Sequence, residues 1–452
     1  MTPREINKNA EKNILIGKVG KSVKFKNLDI RTGDDAIMIF YSTIAKMNPE
    51  YNFFWVGPNQ MNRLSDDEYD YIFPNGNVHS AYGSDYDDEA HHPFYPILKY
   101  FEDNNIKPDF ALFLCGMCSA INVPNFLTSA KTGEYVKILN AFKNYCGPYV
   151  YTLNQLGLPF YLISEDARYI TVNASDLYNR ERIVFTQTNN SFEPIPHIKS
   201  ETDWDKITEP IKCVYAGVER IFMMGLDKDW KSNIDLERKI NATGEKLIVI
   251  QNGCGQKEPN RANGGKSSRL PEIKKYIVDG LAGTEYSNSK VYGIWDEKTY
   301  EKYPQIQDKK LVEVEDEVAD AKYSLVYSIL PGFVTVKAWE MIIKGLVPFI
   351  HPDYDKDRLL GLPEYVYLKS PEDLVNKMRE LDANPEKYKA LWEELFACIS
   401  DDDLSGKRMN NFIFGEIAKD LGFDYINKEG VESIFNHFSK TVFDPTKAII
   451  KK

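Results

Sequence analysis

The chain has 452 residues, 43% of them hydrophobic and 27% charged, with a formal net charge of −11. One core rarely grows to that length, so two or three domains are expected. No apolar run reaches the roughly 18 to 20 residues of a membrane helix, and the acidic balance argues against an unselective nucleic-acid binder, which needs basic surface to neutralise phosphate.

The first residues are polar and lack the apolar stretch of a secretory signal, which predicts a cytoplasmic protein. Six cysteines, at 115, 118, 146, 213, 254 and 398, are too scattered for a disulfide framework and are expected as reduced thiols. Cys115 and Cys118 form a lone C-x2-C with no second pair to complete a zinc site, and no metal is expected. Charge is uneven: Lys18, Lys21, Lys24, Lys26 and Arg31 share a stretch whose only acid is Asp29, whereas 66–70 and 85–89 are acidic.

In chain order, short β runs alternate with amphipathic helical stretches, the pattern of parallel α/β domains. A buried strand is predicted at 13–17, then a basic loop, then a helix over 36–47 opened by Gly33, Asp34 and Asp35. Further strands are predicted at 52–56, 109–114, 159–163 and 182–186, with helices at 93–103 and 134–145 between them. A charged stretch at 227–243 reads as a hinge. The second series runs through a strand at 246–251, a helix at 271–281, strands at 290–295 and 323–327, a helix at 336–344, a strand at 347–350 and a helix at 371–381. The expected division is a first Rossmann-like lobe over 1–240, a second over 241–406, and a helical segment over 407–452 that crosses back to the first. Two such lobes would face one another across a cleft at the carboxyl ends of their sheets, where ligands bind in this architecture.

The most informative stretch is 331–350, PGFVTVKAWEMIIKGLVPFI. Gly332 makes a turn before a helix, Glu340 stands inside that helix, and Gly345 stops it ahead of a buried strand. The helix's first N–H groups, over 334–337 and including Thr335, Val336 and Lys337, are placed to bind an anion. Glu340, one turn on, is placed to accept from sugar hydroxyls. A nucleotide diphosphate sugar needs both kinds of group.

This stretch resembles the donor-site signature of retaining GT-B glycosyltransferases, G-F-x(4–6)-E-A-M-x-x-G-x-P-V. Gly332, Phe333, Glu340, Met341, Gly345 and Pro348 match it. The resemblance makes Glu340 the second carboxylate of the family's E-x7-E pair, the one that holds the ribose. Pro331 or Gly332 stands where the first carboxylate belongs, which leaves open how the sugar's own hydroxyls are held. In the family, the loop after the lobe's first strand gives an Arg and a Lys to the diphosphate. Here that loop carries Gly253, Arg261, Lys266 and Arg269, of which Lys266 and Arg269 match best. Cationic side chains there do the work of a metal ion, so no cofactor is implied beyond the donor, a UDP-sugar by resemblance.

The family's first-lobe loop over phosphate and acceptor is matched by Gly17, Gly20 and Gly33, with Lys21 and Lys24 beside them. A plain helix cap explains Asp34 or Asp35 equally well. Glu165 and Asp166, just past a buried strand, are the candidates to contact the acceptor hydroxyl; a surface turn explains either one singly. His351 follows a strand in a position that lines a cleft, and Asp353 with Asp355 forms a D-x-D, a motif too common to name a metal site by itself. The second lobe also resembles the bacteriophage DNA α-glucosyltransferases over 291–293 and 337–349. With the basic loop at 18–31, that makes double-stranded DNA with hydroxymethylated bases a candidate acceptor, in host cytoplasm if the chain is of phage origin. Small molecules, protein side chains and glycans stay open. The rival readings are a non-catalytic nucleotide-sugar or glycan-binding module, favoured by the missing carboxylate, and a nucleotide-sugar epimerase.

Overall fold

The computed structural model describes residues 4–18, 33–55, 66–80, 100–115, 158–164, 170–173, 210–215, 229–242, 247–251, 270–293, 297–309, 314–327, 337–355, 358 and 360–432. The expected strand at 182–186 and helix at 134–145 lie outside them. The chain divides into two compact units, the first drawn from the N-terminal part together with 402–443, the second chiefly from 226–401.

The first unit is built on a seven-stranded sheet. In chain order its strands are β1 (Lys12–Lys18), β2 (Tyr51–Trp55), β3 (Val78–Ser80), β4 (Phe110–Cys115), β5 (Phe160–Ser164), β6 (Ile170–Asn173) and β7 (Pro210–Tyr215), in the spatial order β3-β2-β1-β4-β5-β7-β6. All pairings are parallel except that of β6 with β7. Continuous apolar runs suit a parallel sheet covered on both faces: Tyr51 to Trp55 is buried at every position. The helix α1 (Gly33–Met47) contributes Phe40, Tyr41, Ile44 and Ala45 to the core. The Tyr41 hydroxyl donates to the carbonyls of Gly17 and Leu112, bridging β1 and β4.

Gly17, expected both as the end of the strand over 13–17 and in the loop that follows, falls in the strand. It is a buried residue of β1, and its N–H donates back to the Tyr41 oxygen at 3.3 Å. Gly33, expected to open the helix as well as to belong to the loop, is part of α1. The acidic stretch at 66–70 begins the helix α2 (Asp66–Ile72), whose Tyr69 and Ile72 face the core.

The core of this unit also takes in Met409, Ile413, Phe414 and Ile417, a helical stripe from Lys407–Leu421. Asn410, fully buried, accepts from Asn48 at 2.9 Å and donates to Tyr425 at 2.8 Å. The expected helix over 407–452 ends at Leu421, because Gly422 takes a left-handed φ of 72° that caps it. Residues 423–432 then run on without helix, Phe423 and Tyr425 packing on the core.

The second unit repeats the plan with five strands: β8 (Leu247–Gln251), β9 (Lys290–Gly293), β10 (Ile306–Gln307), β11 (Tyr323–Val326) and β12 (Val347–Ile350), ordered β10-β9-β8-β11-β12 and all parallel. Two Rossmann-like α/β units are the fold class expected from the sequence. Pro348, which cannot donate to a ladder, sits in the edge strand, where its missing N–H costs no bond. The helix expected at 271–281 is α-helical only over Leu270–Ile273 and continues as a π-turn over Lys274–Val278. The stretch read as a hinge is folded: Trp230 is buried in a short 3-10 turn, and the helix α3 (Leu236–Ile240) buries Lys239.

Between β11 and β12 runs α4 (Lys337–Ile343), ended by Gly345 at φ 78°. A Cβ there would stand 2.9 Å from Trp392 Cη2 and 3.0 Å from Lys239 Cε. Gly345→Ala meets both the left-handed penalty, about 1–2 kcal/mol, and two close contacts. We expect a loss of roughly 2–3 kcal/mol, read as the shift in urea midpoint at unchanged slope.

Candidate functional site

In open parallel sheets, ligands bind at the carboxyl ends of the strands where the order reverses. In the second sheet that point lies between β8 and β11. The two segments nominated from the sequence follow these two strands: Gly253, Arg261, Lys266 and Arg269 come after β8, and Gly332, Thr335 and Val336 after β11. All seven lie outside the described residues, as do Gly20, Lys21, Lys24, Glu165 and Asp166.

Lys337 and Glu340 are described, and topology fixes where they stand. Because β11 and β12 are parallel neighbours, the helix joining them returns from the carboxyl end of one to the amino end of the other. The first turn of α4 is therefore at the ligand-binding edge. Ala338, Trp339, Met341, Ile342 and Ile343 are buried, leaving Lys337 and Glu340 one turn apart on the remaining stripe. The Lys337 ammonium donates to Glu340 Oε2, with side-chain exposures of 15% and 23%. Glu340 thus meets any ligand already paired with a cation. The described part of α4, Lys337–Ile343, falls within the helix expected over 336–344, whose first residue lies outside the described residues.

A second group shares this edge. His351 directly follows β12, and its N–H donates to Val326 O at 2.9 Å, pinning it beside the end of β11. Its Nδ1 lies 2.5 Å from Asp353 Oδ1. The ring stands 4.8 Å from that of Tyr276, in the π-turn, and 6.5 Å from that of Tyr327, which follows β11. Burial first, then the charges of Asp353, Asp373 and Glu272, push the Tyr276 phenol up to about 12, so it stays a neutral donor.

The D-x-D divides into two unlike halves. Asp355 is 1% exposed and accepts from the Tyr367 hydroxyl at 2.7 Å and the Leu360 N–H at 3.0 Å. Those bonds give it a structural task, holding the turn after β12. Asp353 serves His351 instead.

No family model matches the chain, and no curated protein matches it. Solved structures do. The chain is similar to the T4 phage β-glucosyltransferase, at 14% identity and a TM-score of 0.44, over 90% of this chain and 99% of that one. It is also similar to the Anabaena protein HepE in complex with UDP-glucose, at 8% identity and a TM-score of 0.41, over 90% of this chain and 99% of that one. A third is the UDP-GlcNAc 2-epimerase of Methanocaldococcus jannaschii, at 14% identity and a TM-score of 0.36, over 89% of this chain and 99% of that one.

Asp353, Tyr276 and Tyr327 were not nominated from the sequence. A positional signal finds Tyr327, which directly follows the last residue of the parallel strand β11 and so stands at the ligand edge. Asp353, three residues past β12, and Tyr276, in the π-turn, carry no such signal. Among the described residues, no helix is long and apolar enough to cross a membrane.

Proposed function

We propose that the chain is a glycosyltransferase that moves a sugar from a nucleotide diphosphate sugar, a UDP-sugar, to a hydroxyl acceptor with retention of configuration. The observation that carries this reading is the Lys337–Glu340 pair in the first turn of α4, at the ligand edge of the second sheet, within the segment that resembles a donor signature. In this reading Glu340 accepts from the ribose hydroxyls, and Lys337 turns towards the phosphates as the donor enters. Lys266 and Arg269, with Arg261, neutralise the departing diphosphate, so the reaction needs no metal. The leaving phosphate takes the acceptor's proton on the same face, with Glu165 or Asp166 holding the acceptor.

For the acceptor, the basic run from Lys18 to Arg31 follows β1, one of the two strands flanking the reversal point of the first sheet, and it favours a polyanion. Double-stranded DNA with hydroxymethylated bases is the acceptor we assign; a solved β-glucosyltransferase to which the chain is similar is described as a DNA modifying enzyme.

The test is calorimetry with UDP, GDP, ADP and their sugar conjugates, with and without EDTA, followed by turnover of the bound conjugate on hydroxymethylated and unmodified DNA. Binding of no nucleotide removes the reading. Binding without release of nucleotide makes the chain a binding module, and turnover without acceptor makes it an epimerase. The anomeric proton of the product reads retention directly. Glu340→Ala is expected to weaken donor binding by about 1–3 kcal/mol, the scale of a hydrogen bond to a charged group. An unchanged affinity would take the ribose role away from Glu340.

A further inference from the structure

The donor signature in this chain has a gap, and the ligand edge that carries Glu340 has a group of the right chemistry. Where the resemblance requires a first carboxylate, the chain has Pro331 or Gly332, neither with a side chain that accepts a hydrogen bond. Glu340 answers for one set of hydroxyls only.

His351 is held on the same edge by three constraints: its N–H bonded to Val326 O, its Nδ1 2.5 Å from Asp353 Oδ1, and the rings of Tyr276 and Tyr327 beside it. The Asp353 N–H also approaches Nδ1, at 3.2 Å, but the shorter carboxylate contact decides the tautomer. In the neutral form of the ring, a proton held at Nδ1 by Asp353 leaves Nε2 with a lone pair. No described residue takes up Nε2. The side chain is 8% exposed, so it is a fixed feature of the edge rather than a mobile surface group.

A fixed lone pair repels a phosphate oxygen and attracts a hydroxyl. We propose that His351, oriented by Asp353, supplies the missing acceptor, its Nε2 taking a hydrogen bond from a hydroxyl of the transferred sugar. This rests on the nucleotide-sugar reading above and names the group that recognises the sugar. Asp353 is a positioning residue that sets the tautomer, and the tyrosines keep water from the ring.

The experiment is calorimetry of the full chain with UDP and with UDP-glucose. In His351→Ala, UDP-glucose affinity is expected to fall about tenfold while UDP affinity stays within about twofold. His351→Gln, which keeps a side-chain acceptor, should recover most of the loss. Equal losses for both ligands, or none for either, overturn the proposal. Imidazole-15N-labelled wild-type protein gives a second readout that needs no variant to fold. The His351 Nε2 resonance moves on adding UDP-glucose and not on adding UDP, and an unmoved resonance with UDP-glucose bound overturns the proposal. Wild-type protein that binds neither ligand removes the glycosyltransferase reading itself, and the sugar contact with it. Binding without a sugar-specific loss removes only the role of His351.

Discussion

Lys239→Ala is expected to destabilise the second unit by about 3–5 kcal/mol, among the largest effects of any single change outside the site. The side chain is 2% exposed, and its Nζ donates to Val318 O at 2.6 Å and Ala321 O at 2.8 Å, carbonyls at the end of the helix Glu315–Asp320. Alanine leaves both carbonyls without this donor and opens a cavity against Gly345, whose tight turn packs on the lysine stem. Burial, with the charges of Arg238 and Lys344, lowers the amine from its ordinary 10.5 to about 7. A neutral amine still has two hydrogens, enough for both carbonyls.

The sign of the pH effect follows. The folded-state value lies below the unfolded one, so the unfolded chain binds more protons between them and stability rises with pH through that window. From pH 7 to about 9.5 this amounts to roughly 2–3 kcal/mol. Lys239→Met removes the titrating group at similar volume and should flatten that rise. Lys46, lowered to about 8 by burial, adds to it in both proteins, so the difference between the two isolates Lys239. Urea unfolding at several pH values reads it, and parallel curves for the two proteins would mean that the amine titrates at its ordinary value.

The second large effect is at Asp382. Its carboxylate accepts from the Tyr286 hydroxyl at 2.7 Å, the Tyr323 hydroxyl at 2.9 Å and Lys322 Nζ at 3.0 Å. Side-chain exposures are 15% for Asp382 and 8% for Lys322, so water replaces little when the carboxylate goes. Removing one partner of a buried ion pair typically costs about 3–5 kcal/mol, and Asp382→Ala is expected in that range. Asp382→Leu restores bulk but still strands the ammonium, so it should remain destabilising by more than about 2 kcal/mol. Thermal unfolding checks both, and a leucine variant as stable as the parent would show that the network contributes only packing. Tyr323 is the first residue of β11, whose far end carries Tyr327. The Asp382 network thus anchors the amino end of the strand that leads to the ligand edge.

What the sequence showed depended on how each element makes its contacts. The strands at 247–251, 323–326 and 347–350 are apolar runs bounded by polar residues, and periodicity alone places them. Pro371–Ala383 announces itself with Ser370, whose hydroxyl accepts from the Asp373 N–H, and with Pro371 in the first turn. Elements whose burial depends on distant partners were illegible. Residues 227–243 read as a charged hinge because nothing local marks Lys239 as the buried lysine. The antiparallel β6 and the three-residue β3 are too short for a periodic signal. At the site, Glu340 was readable because it belongs to a motif. The pairing of Glu340 with Lys337, and of His351 with Asp353, depends on side-chain geometry that spacing does not encode.

The helix Lys407–Leu421 has a consequence for synthesis. The first unit's core lacks Met409, Ile413, Phe414 and Ile417 until residues 407–421 have emerged, whereas the second unit's sheet has its five described strands once β12 has emerged. The sheet encoded first is therefore the one covered last. A nascent chain stalled after residue 401 would carry all five described strands of the second sheet and a first sheet still without the 409–417 stripe, the stage at which a chaperone has most to hold.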